Sequence, residues 1–498
     1  MATYLSSLMI VLQPVNLIAL YLCSIIGCIL GAIPGLAGGL GITLILPLTF
    51  AMSTDLSFAM LLGMYVGGVS GSFISSVLIG IPGSASSIAT CFDGYPMTKR
   101  GKAAKALSIG ITASFMGTAL SVLIATFASK ALANIALALG PWEYFSLCFM
   151  AVSMVIGMSN GSVFKGLIGA FLGVFLATIG TDSVSNQMRF TFGNYNLFAG
   201  VNVVCLLMGT FALQLVATSY AKGEQEMPEV EAGSLGGFGL TVMDFVKNGK
   251  TIVTSFLIGL GIGFLPGMGG GVASMISYGQ AKKSSSHPET FGTGDEEGVW
   301  ASEASNNASI GGALLPMISL GIPGDGTTVM LLSAMTIHGL QAGPMFITQH
   351  ADLAYMIFAA VLVAAILVFI TEIFTKRWFP LLLKAPYHYL YSAILMLCFL
   401  GAFASTTSMF SVGMVIFFGL FGVLMDYFEI PMNCLMLSYI LGTNLETYFR
   451  RGMSYAMGDA TSFFKRPVSC ILLLIGIYSL LAPAVKFMIK KMRASKAA

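Results

Sequence analysis

Four proline-glycine pairs interrupt long apolar runs of this sequence, two in each half. Proline removes a backbone hydrogen-bond donor and glycine costs chain entropy, so such breaks are unfavourable unless the broken backbone serves a purpose. Each half carries one break of the type Gly-x-x-Pro-Gly and a later one of the type Gly-Ile-Pro-Gly. The four breaks are Gly31-Ala-Ile-Pro-Gly35, Gly80-Ile-Pro-Gly83, Gly263-Phe-Leu-Pro-Gly267 and Gly321-Ile-Pro-Gly324.

The apolar runs around the breaks are long enough to cross a bilayer. Of 498 residues, 56% are hydrophobic and only 9% are charged, whereas soluble proteins carry about 25% charged residues. The first charge is Asp55, and runs such as 56–92 and 251–281 carry none. The sequence predicts an all-α polytopic membrane protein with about 12 transmembrane helices, each of roughly 20 residues, plus re-entrant or broken-helix hairpins.

Several functional classes are excluded by composition and motifs. The net charge is only +3 and the basic residues form short clusters, which does not suit a nucleic-acid partner. The eight cysteines stand singly in apolar surroundings, without metal-ligand spacing. The sequence has no Walker A motif, no HExxH and no nucleophile constellation. We therefore expect neither an enzyme nor a cofactor, although paired carboxylates of an intramembrane enzyme are a minor alternative for Glu303 and Asp325.

Loop charges indicate that the two halves have opposite orientations. Loop 98–105 is strongly basic and its counterpart 341–350 has no Lys or Arg, whereas loop 49–56 has none and its counterpart contains Lys282 and Lys283. Because basic loops favour the cytoplasm, the halves are predicted to be inverted-topology repeats. The predicted domains are a first transmembrane repeat (1–220), a polar cytoplasmic linker (221–250), a second transmembrane repeat (251–466), and a final transmembrane helix with a basic tail (467–498).

One group of basic residues conflicts with this charge pattern. Arg450, Arg451, Lys465 and Arg466 fall on the predicted outer side of the membrane. Either one crossing is miscounted in this region, or these charges serve binding rather than orientation. The side of the N-terminus is also left open.

The breaks themselves predict a transport site. Irregular backbone at membrane depth must be buried in protein or line a cavity, and paired broken helices in an inverted repeat mark the binding site of a transporter. A helix N-terminus offers unpaired N–H groups that suit a carboxylate, while the nearby hydroxyls either cap the helix or bind the ligand. The predicted substrate-binding residues are Gly83, Ser84, Ala85, Ser86, Ser87, Gly324, Thr327, Thr328, Asn306 and Asn307.

A polar cluster precedes the last break. Glu303, Asn306 and Asn307 have the i, i+3, i+4 spacing of one helix face. Such a face entering a membrane either binds a ligand or Na⁺ or joins helices by hydrogen bonds, and we favour the first. Unwound carbonyls at the breaks can also hold Na⁺, the one metal expected. The predicted ion-binding residues are Gly35, Gly267, Glu303, Asn306, Asn307 and Asp325, the last also a candidate proton carrier.

Two further acidic residues are interpreted as structural. Asp93 lies in Phe92-Asp-Gly-Tyr-Pro-Met97, whose residue types predict a turn. Glu372 precedes Lys376 and Arg377 at the end of an apolar run, and we expect a local ion pair there.

These motifs resemble those of a known family, the large membrane subunit of tripartite tricarboxylate transporters (TctA type). The resemblance runs from about residue 15 to about residue 470. It is carried by Gly80-Ile-Pro-Gly-Ser-Ala85, Phe92-Asp-Gly-Tyr-Pro-Met-Thr-Lys-Arg-Gly101, Arg189-Phe-Thr-Phe-Gly193, Glu297-Gly298 with Glu303-Ala-Ser-Asn-Asn307, Gly311-Gly-Ala313 with Leu320-Gly-Ile-Pro-Gly324, and His338-Gly-Leu-Gln-Ala-Gly-Pro344.

The resemblance implies secondary active import of a tricarboxylate such as citrate, or of a related organic anion, by symport with Na⁺ or H⁺. It also implies a small four-helix membrane subunit, a periplasmic substrate-binding protein and a place in the bacterial inner membrane, with a homo-oligomer as a further option. Asp325 stands where that family usually has a small residue. The alternative function is a passive organic-anion facilitator or channel on the same fold.

Overall fold

The structure, a computed structural model, describes residues 2–34, 36–157, 162–182, 184–223, 235–383 and 387–497. Within them, seven helices are long and apolar enough to cross a membrane. The prediction of an all-α polytopic membrane protein is confirmed, while the number of crossings stays a prediction. The seven spans are Pro14–Ala32, Thr54–Leu78, Ala103–Leu137, Val203–Ala221, Ala351–Leu382, Tyr389–Thr406 and Met409–Tyr427.

Helices make up nearly all of the regular structure in the described residues, with one short antiparallel hairpin between α9 and α10. The elements are α1 (Ala2–Val11), α2 (Pro14–Ala32), α3 (Ala37–Ile45), α4 (Thr54–Gly71), α5 (Phe73–Leu78), α6 (Ile88–Lys99), α7 (Ala103–Leu137), α8 (Pro141–Gly157), α9 (Val163–Ala177), β1 (Gly180–Thr181), β2 (Met188–Arg189), α10 (Val203–Leu207), α11 (Gln214–Lys222), α12 (Val242–Phe264), α13 (Gly269–Ser284), α14 (Glu296–Leu320), α15 (Gly326–Ile337), α16 (Pro344–Gln349), α17 (Ala351–Thr375), α18 (Phe379–Leu382), α19 (Tyr387–Thr406), α20 (Met409–Tyr427), α21 (Met432–Tyr455), α22 (Ser462–Lys465) and α23 (Pro467–Ala497).

The chain forms two compact units that interleave along the sequence. Unit 1 comprises Met1–Ala133 and Leu215–Ser405, and unit 2 comprises Asn134–Gln214 and Thr406–Ala498. Each unit therefore contains a segment from either half of the sequence. The domains predicted from the sequence are continuous segments, whereas each of these units combines two separate segments. The predicted domain limits stay a prediction.

Within unit 1, the order of elements around the breaks is the same in both halves. A long helix (α2 or α12) is followed by a break, a second helix (α3 or α13) and a further long segment (α4 and α5, or α14), and then by the second break and a last helix (α6 or α15). Gly80 and Gly321 begin the second breaks in the left-handed backbone region, with φ of +74° and +73°. Only glycine adopts this conformation without strain, so it ends each helix two residues before the proline.

The long helices also pack in the same way twice. A Cβ added at Gly31 of α2 would overlap the backbone of Gly68 on α4, and one added at Gly263 of α12 would overlap that of Ser309 on α14. Gly263 follows Gly31 by 232 positions, as Pro266 follows Pro34, and Ser309 follows Gly68 by 241. Small residues let these helix backbones approach closely, as is usual between membrane helices.

In unit 2, an ion-pair network ties the hairpin to α21. Arg189 of β2 lies 2.8 Å from a carboxylate oxygen of Asp182 and donates to both oxygens of Glu446, at 2.9 and 3.1 Å. Arg450 lies 2.7 Å from Asp182. The Ser185 hydroxyl and Arg450 lower the pKa of Asp182, because both stabilise the ionised carboxylate.

Three of the four basic residues that conflict with the charge pattern, Arg450, Lys465 and Arg466, have local partners. Besides Arg450, Lys465 lies 2.8 Å from a carboxylate oxygen of Asp459. Arg466 lies 3.3 Å from Glu143 and 4.1 Å above the ring of Trp142. Sequence analysis considered a miscounted crossing or a binding role, and the structure adds a third explanation, local ion pairs within unit 2.

Candidate functional site

The helix breaks of the two halves approach one another in unit 1. Helix α3 packs against α15, and α13 packs against α6 and the turn Ala85–Ser87 that precedes it. A Cβ added at Gly39 of α3 would lie 3.8 Å from the hydroxyl oxygen of Thr327, and one added at Gly271 of α13 would lie 3.2 Å from the carbonyl oxygen of Ala85. Each first-break helix thus contacts the second-break helix of the other half.

Asn306 presents an unpartnered acceptor at this meeting point. Its side chain is fully buried, and its Nδ2 lies 3.5 Å from Glu303 Oε2. Within the described residues, its Oδ1 has no hydrogen-bond partner. A Cβ added at Gly270 of α13 would overlap this oxygen and would lie 3.2 Å from both Ser309 Oγ and Ser86 Cβ. Because a buried acceptor left unpaired costs about 1–3 kcal/mol, this oxygen is suited to receive a ligand.

Asn307, the neighbouring amide, is fully engaged by the protein. Its Nδ2 donates to Ser114 Oγ at 2.9 Å and to the backbone carbonyl of Glu303 at 3.1 Å. Its Oδ1 accepts hydrogen bonds from the hydroxyls of Ser70 at 3.2 Å and Thr118 at 3.4 Å. Asn307 therefore joins α14 to α4 and α7, which is the structural alternative considered for the cluster.

Glu303 is buried among hydrogen-bond donors. Its Oε1 accepts from the Thr90 hydroxyl, and its Oε2 lies 3.4 Å from Ser114 Oγ, 3.5 Å from Asn306 Nδ2 and 3.3 Å from Asn307 Nδ2. Within the described residues these partners are all neutral groups. A buried carboxylate is costly without a counter-charge, so this position is suited to a cation.

Asp325 is occupied as the N-cap of α15. Its Oδ1 accepts from the Thr328 backbone N–H at 2.7 Å and from the Thr328 hydroxyl at 2.8 Å. Its Oδ2 accepts from the Tyr65 hydroxyl at 3.0 Å. The carboxylate already supplies the negative charge that a helix N-terminus favours, so the N-terminus of α15 is a poor place for a second anion.

The corresponding turn of the first half carries no charge. Ser87 Oγ accepts from the Ser84 backbone N–H at 3.4 Å and donates to the Ser84 carbonyl at 3.1 Å. Ser84 and Ser87 precede Asp325 and Thr328 by 241 positions. The hydroxyls of Ser84 and Ser86 form a hydrogen bond of 2.8 Å with each other and are half-buried, so a ligand at this N-terminus would meet two hydroxyls and no charge.

The remaining predicted site residues have backbone roles or lie beside the site. A Cβ added at Gly83 would overlap the carbonyl of Gly31, and one added at Gly324 would overlap that of Gly263. Glycine at both positions therefore lets the backbone of the second break contact the end of the helix before the first break. Gly267 has a φ of +76°, and Gly35 lies outside the described residues.

The predicted turn at residues 92–97 is wrong, because these residues lie inside α6. Asp93 is fully buried there, and its Oδ1 accepts the backbone N–H groups of Gly292 and Gly294 at 2.9 and 2.8 Å. Asp295 N–H donates to the same oxygen at 2.8 Å, and the Tyr278 hydroxyl donates to Oδ2 at 2.8 Å. Asp93 thus anchors the loop before α14, a role that no local sequence signal indicates.

The prediction that Glu372 forms an ion pair with Lys376 or Arg377 is also wrong. Lys376 donates to Ser108 Oγ at 2.9 Å and to the backbone carbonyl of Gly237, and Arg377 lies 4.8 Å above the ring of Trp378. Within the described residues, Oε2 of Glu372 has no hydrogen-bond partner. The cations that neighbour Glu372 in sequence are turned to other partners.

A multi-pass helical membrane protein with paired helix breaks around a buried polar cluster has the architecture of a solute transporter. Residues 17–437 match the tripartite tricarboxylate transporter TctA family. The chain is 32% identical over 471 residues to an uncharacterized 52.8 kDa protein in the TAR-I ttuC' 3'region of Agrobacterium vitis, which covers 94% of this chain and 92% of that protein. It is also 32% identical over 220 residues to an uncharacterized protein in the TAR-II ttuC' 3'region of Agrobacterium vitis, covering 43% of this chain and 89% of that protein. No solved structure matches the chain.

The chain therefore belongs to the TctA family, as its motifs indicated. It is the membrane component of a tripartite tricarboxylate transporter, and that component is not an enzyme. Membership of a tripartite system implies partners such as a substrate-binding protein and a small membrane subunit.

Proposed function

We propose that this protein is a secondary active transporter that imports a tricarboxylate, or a related organic anion, by symport with Na⁺ or H⁺. One observation carries the proposal: the unpartnered oxygen of Asn306 lies where helix breaks of the two halves meet. A transporter needs such a binding position at its repeat interface.

The chemistry of the site suggests separate positions for the anion and the cation. The uncharged N-terminus at Ser84 and Ser86 suits a substrate carboxylate, since its hydroxyls and backbone N–H groups donate hydrogen bonds. The oxygens of Asn306 and Glu303 suit Na⁺, a hard cation that prefers oxygen ligands. Asn307 and Asp325 were also predicted to bind ligand. In the proposed site they act indirectly: Asn307 holds α14 against neighbouring helices, and Asp325 caps α15.

The twofold arrangement supports alternating access. The matched offsets, element order and helix packing of the halves support a structural repeat, and the loop charges support its inversion. Inverted repeats place their broken helices near the bilayer midplane, where rocking of one part exposes the site to either side.

The proposed setting is the bacterial inner membrane. A periplasmic binding protein would deliver the anion, and a small four-helix membrane subunit would complete the membrane part. Both partners follow from the family rather than from a feature of this chain.

Reconstitution tests the proposal. Purified protein in liposomes, supplied with its small subunit and its binding protein, should accumulate labelled citrate or a related carboxylate above the external concentration under an inward Na⁺ or proton gradient. Uptake that never exceeds equilibrium would favour the passive facilitator instead. Uptake indifferent to both gradients would refute coupling.

A substitution pair links uptake to the site. Asn306→Ala should abolish accumulation because it removes the unpartnered oxygen. Asn16→Ala is the control, since Asn16 is also a buried asparagine of unit 1 and its amide donates to the Ile10 carbonyl at 2.9 Å, away from the helix breaks. Equal uptake by the two folded variants would show that Asn306 does not bind the transported species.

A further inference from the structure

Glu372 is a further buried carboxyl of unit 1, besides Asp93 and Glu303, and it shares no hydrogen-bond partner with Glu303 in the part of the chain that the structure describes. It lies on α17 in an apolar span and is 2% exposed. Its Oε1 accepts a weak hydrogen bond from the Cys28 thiol of α2 at 3.6 Å. Its Oε2, also buried, has no hydrogen-bond partner within the described residues. The transport site described above makes no use of this group.

The ionisable groups around Glu372 do not neutralise it. Lys376 lies four residues after Glu372, just beyond the end of α17, and donates to Ser108 and to a backbone carbonyl. Helices α1, α2, α4 and α16 pack against α17, and α7 contacts it through the rings of Phe115 and Phe369, whose centroids lie 4.7 Å apart. Lys105 of α7 is paired with Asp244 and Glu296. The other titratable and charged residues on these elements are Tyr4 of α1, Tyr21, Cys23 and Cys28 of α2, Asp55 and Tyr65 of α4, Lys130 of α7, Asp352 and Tyr355 of α17, and Lys376 and Arg377 after α17. Glu303 lies on α14, which packs against α4 and α16.

None of these residues supplies a counter-ion. Tyr21 accepts from Thr371 at 3.3 Å, Tyr65 donates to Asp325, and Arg377 stacks on Trp378. An ionised carboxylate at this position would therefore be desolvated without a positive partner, which is strongly unfavourable.

The surroundings of Glu372 select the ligand that would neutralise it. Na⁺ prefers several oxygen ligands, and the thiol of Cys28 is the sole hydrogen-bond partner that the described residues offer. A proton needs no coordination shell and neutralises the carboxyl directly. Intramembrane carboxyl groups of this kind serve as proton carriers in pumps and transporters.

We propose that Glu372 is a proton-binding site of the transport cycle, separate from the cation position at Asn306 and Glu303. The inference rests on the proposed function and deepens it. The carboxyl takes a proton from water when the cycle exposes it to one side. Its O–H bond breaks on exposure to the other side, where the proton passes to water and the carboxylate is hydrated.

The test measures protons and substrate together. Liposomes carrying the transporter with its partner subunits contain a trapped pH dye, and valinomycin with K⁺ holds the membrane potential at zero. An inward Na⁺ gradient then drives uptake of labelled carboxylate. Glu372→Gln, which has the shape of the protonated side chain, should lower the number of protons entering per substrate by about one. Glu372→Asp keeps a carboxyl and should retain proton entry.

The outcomes separate this inference from the proposed function. An unchanged proton-to-substrate ratio in Glu372→Gln would overturn the inference, as would wild-type uptake that carries no protons. If the wild type accumulates no carboxylate under any gradient, the proposed function fails, and infrared spectroscopy still decides the inference. A protonated-carboxyl C=O band at neutral pH that disappears in Glu372→Gln would support it, and the absence of that band in the wild type would refute it.

Discussion

Gly270 controls the space in front of the Asn306 oxygen, and its replacement by alanine tests the site directly. The added methyl group would overlap Asn306 Oδ1 and lie 3.2 Å from Ser309 Oγ and Ser86 Cβ. Residue 270 is helical, so alanine recovers up to about 1 kcal/mol of helix propensity. Overpacking costs about 1–3 kcal/mol. A ligand bound at the Asn306 oxygen would occupy the same space as the added methyl group, so its binding free energy should be reduced by this amount. We expect Gly270→Ala to weaken the apparent affinity for the coupling ion or substrate by about 5- to 150-fold.

Gly279 provides the matched control on the same helix, α13. A Cβ added at Gly279 meets nothing within 4 Å, so Gly279→Ala should leave transport unchanged and slightly raise thermal stability. Both variants would be compared by thermal unfolding and by initial uptake rates over a range of Na⁺ and carboxylate concentrations. Equal concentration dependences in the two variants would refute the assignment of a ligand to the Asn306 oxygen.

Three further predictions concern the groups around the site and in unit 2. Asn307→Ala should lower the free energy of unfolding by about 2–4 kcal/mol, because it breaks several buried hydrogen bonds; thermal unfolding that differs little from wild type would contradict the structural role. Asp325→Ser keeps a helix cap but removes the acceptor of the buried Tyr65 hydroxyl, so it should cost about 1–3 kcal/mol of stability. It should also tighten the apparent affinity for the anion by removing a like charge; weaker anion binding would instead assign the carboxylate to the cation. Asp182 has a pKa lowered by Ser185 and Arg450, so its contribution to stability is present above the unfolded pKa and is lost as the pH falls through the folded pKa. Arg450→Met should therefore destabilise the protein at neutral pH and progressively less in acid, measured by thermal unfolding against pH; a pH-independent loss would exclude the ion pair as its cause.

Sequence analysis predicted the features that depend on local chemistry. Pro34, Pro82, Pro266 and Pro323 each lie in a break between helices, because a proline followed by glycine disfavours a continuous helix. Pro96 and Pro316, which no glycine follows, lie inside helices. The polar face of α14 was also predicted from helical spacing. The matched offsets of the breaks could be read because they are a property of the sequence itself; the inverted repeat that they indicate stays a prediction.

The roles of individual polar side chains could not be predicted in this way. Asn306 and Asn307 are adjacent in sequence and identical in type. Among the residues whose structure is described, Asn307 is fully hydrogen-bonded whereas the side-chain oxygen of Asn306 has no partner. The difference arises because their side chains meet different helices. Asp93 accepts from backbone groups about 200 positions away, and Lys376 turns away from Glu372 towards Ser108. The hydrogen-bond partners of these side chains depend on tertiary packing, which local residue patterns do not predict.

The interleaving of the two units has a consequence for synthesis of the protein. Unit 2 cannot close until its second segment, which begins at Thr406, has left the ribosome. The Arg189 side chain must wait for Glu446, 257 positions later; during that interval it can pair with Asp182 of its own hairpin but not with α21. Unit 1 can be completed earlier, since its last segment ends at Ser405. Domains form as units while the chain emerges. A nascent chain that ends near residue 405 should therefore already contain the paired helix breaks of unit 1. The first segment of unit 2 would still lack the segment against which it packs.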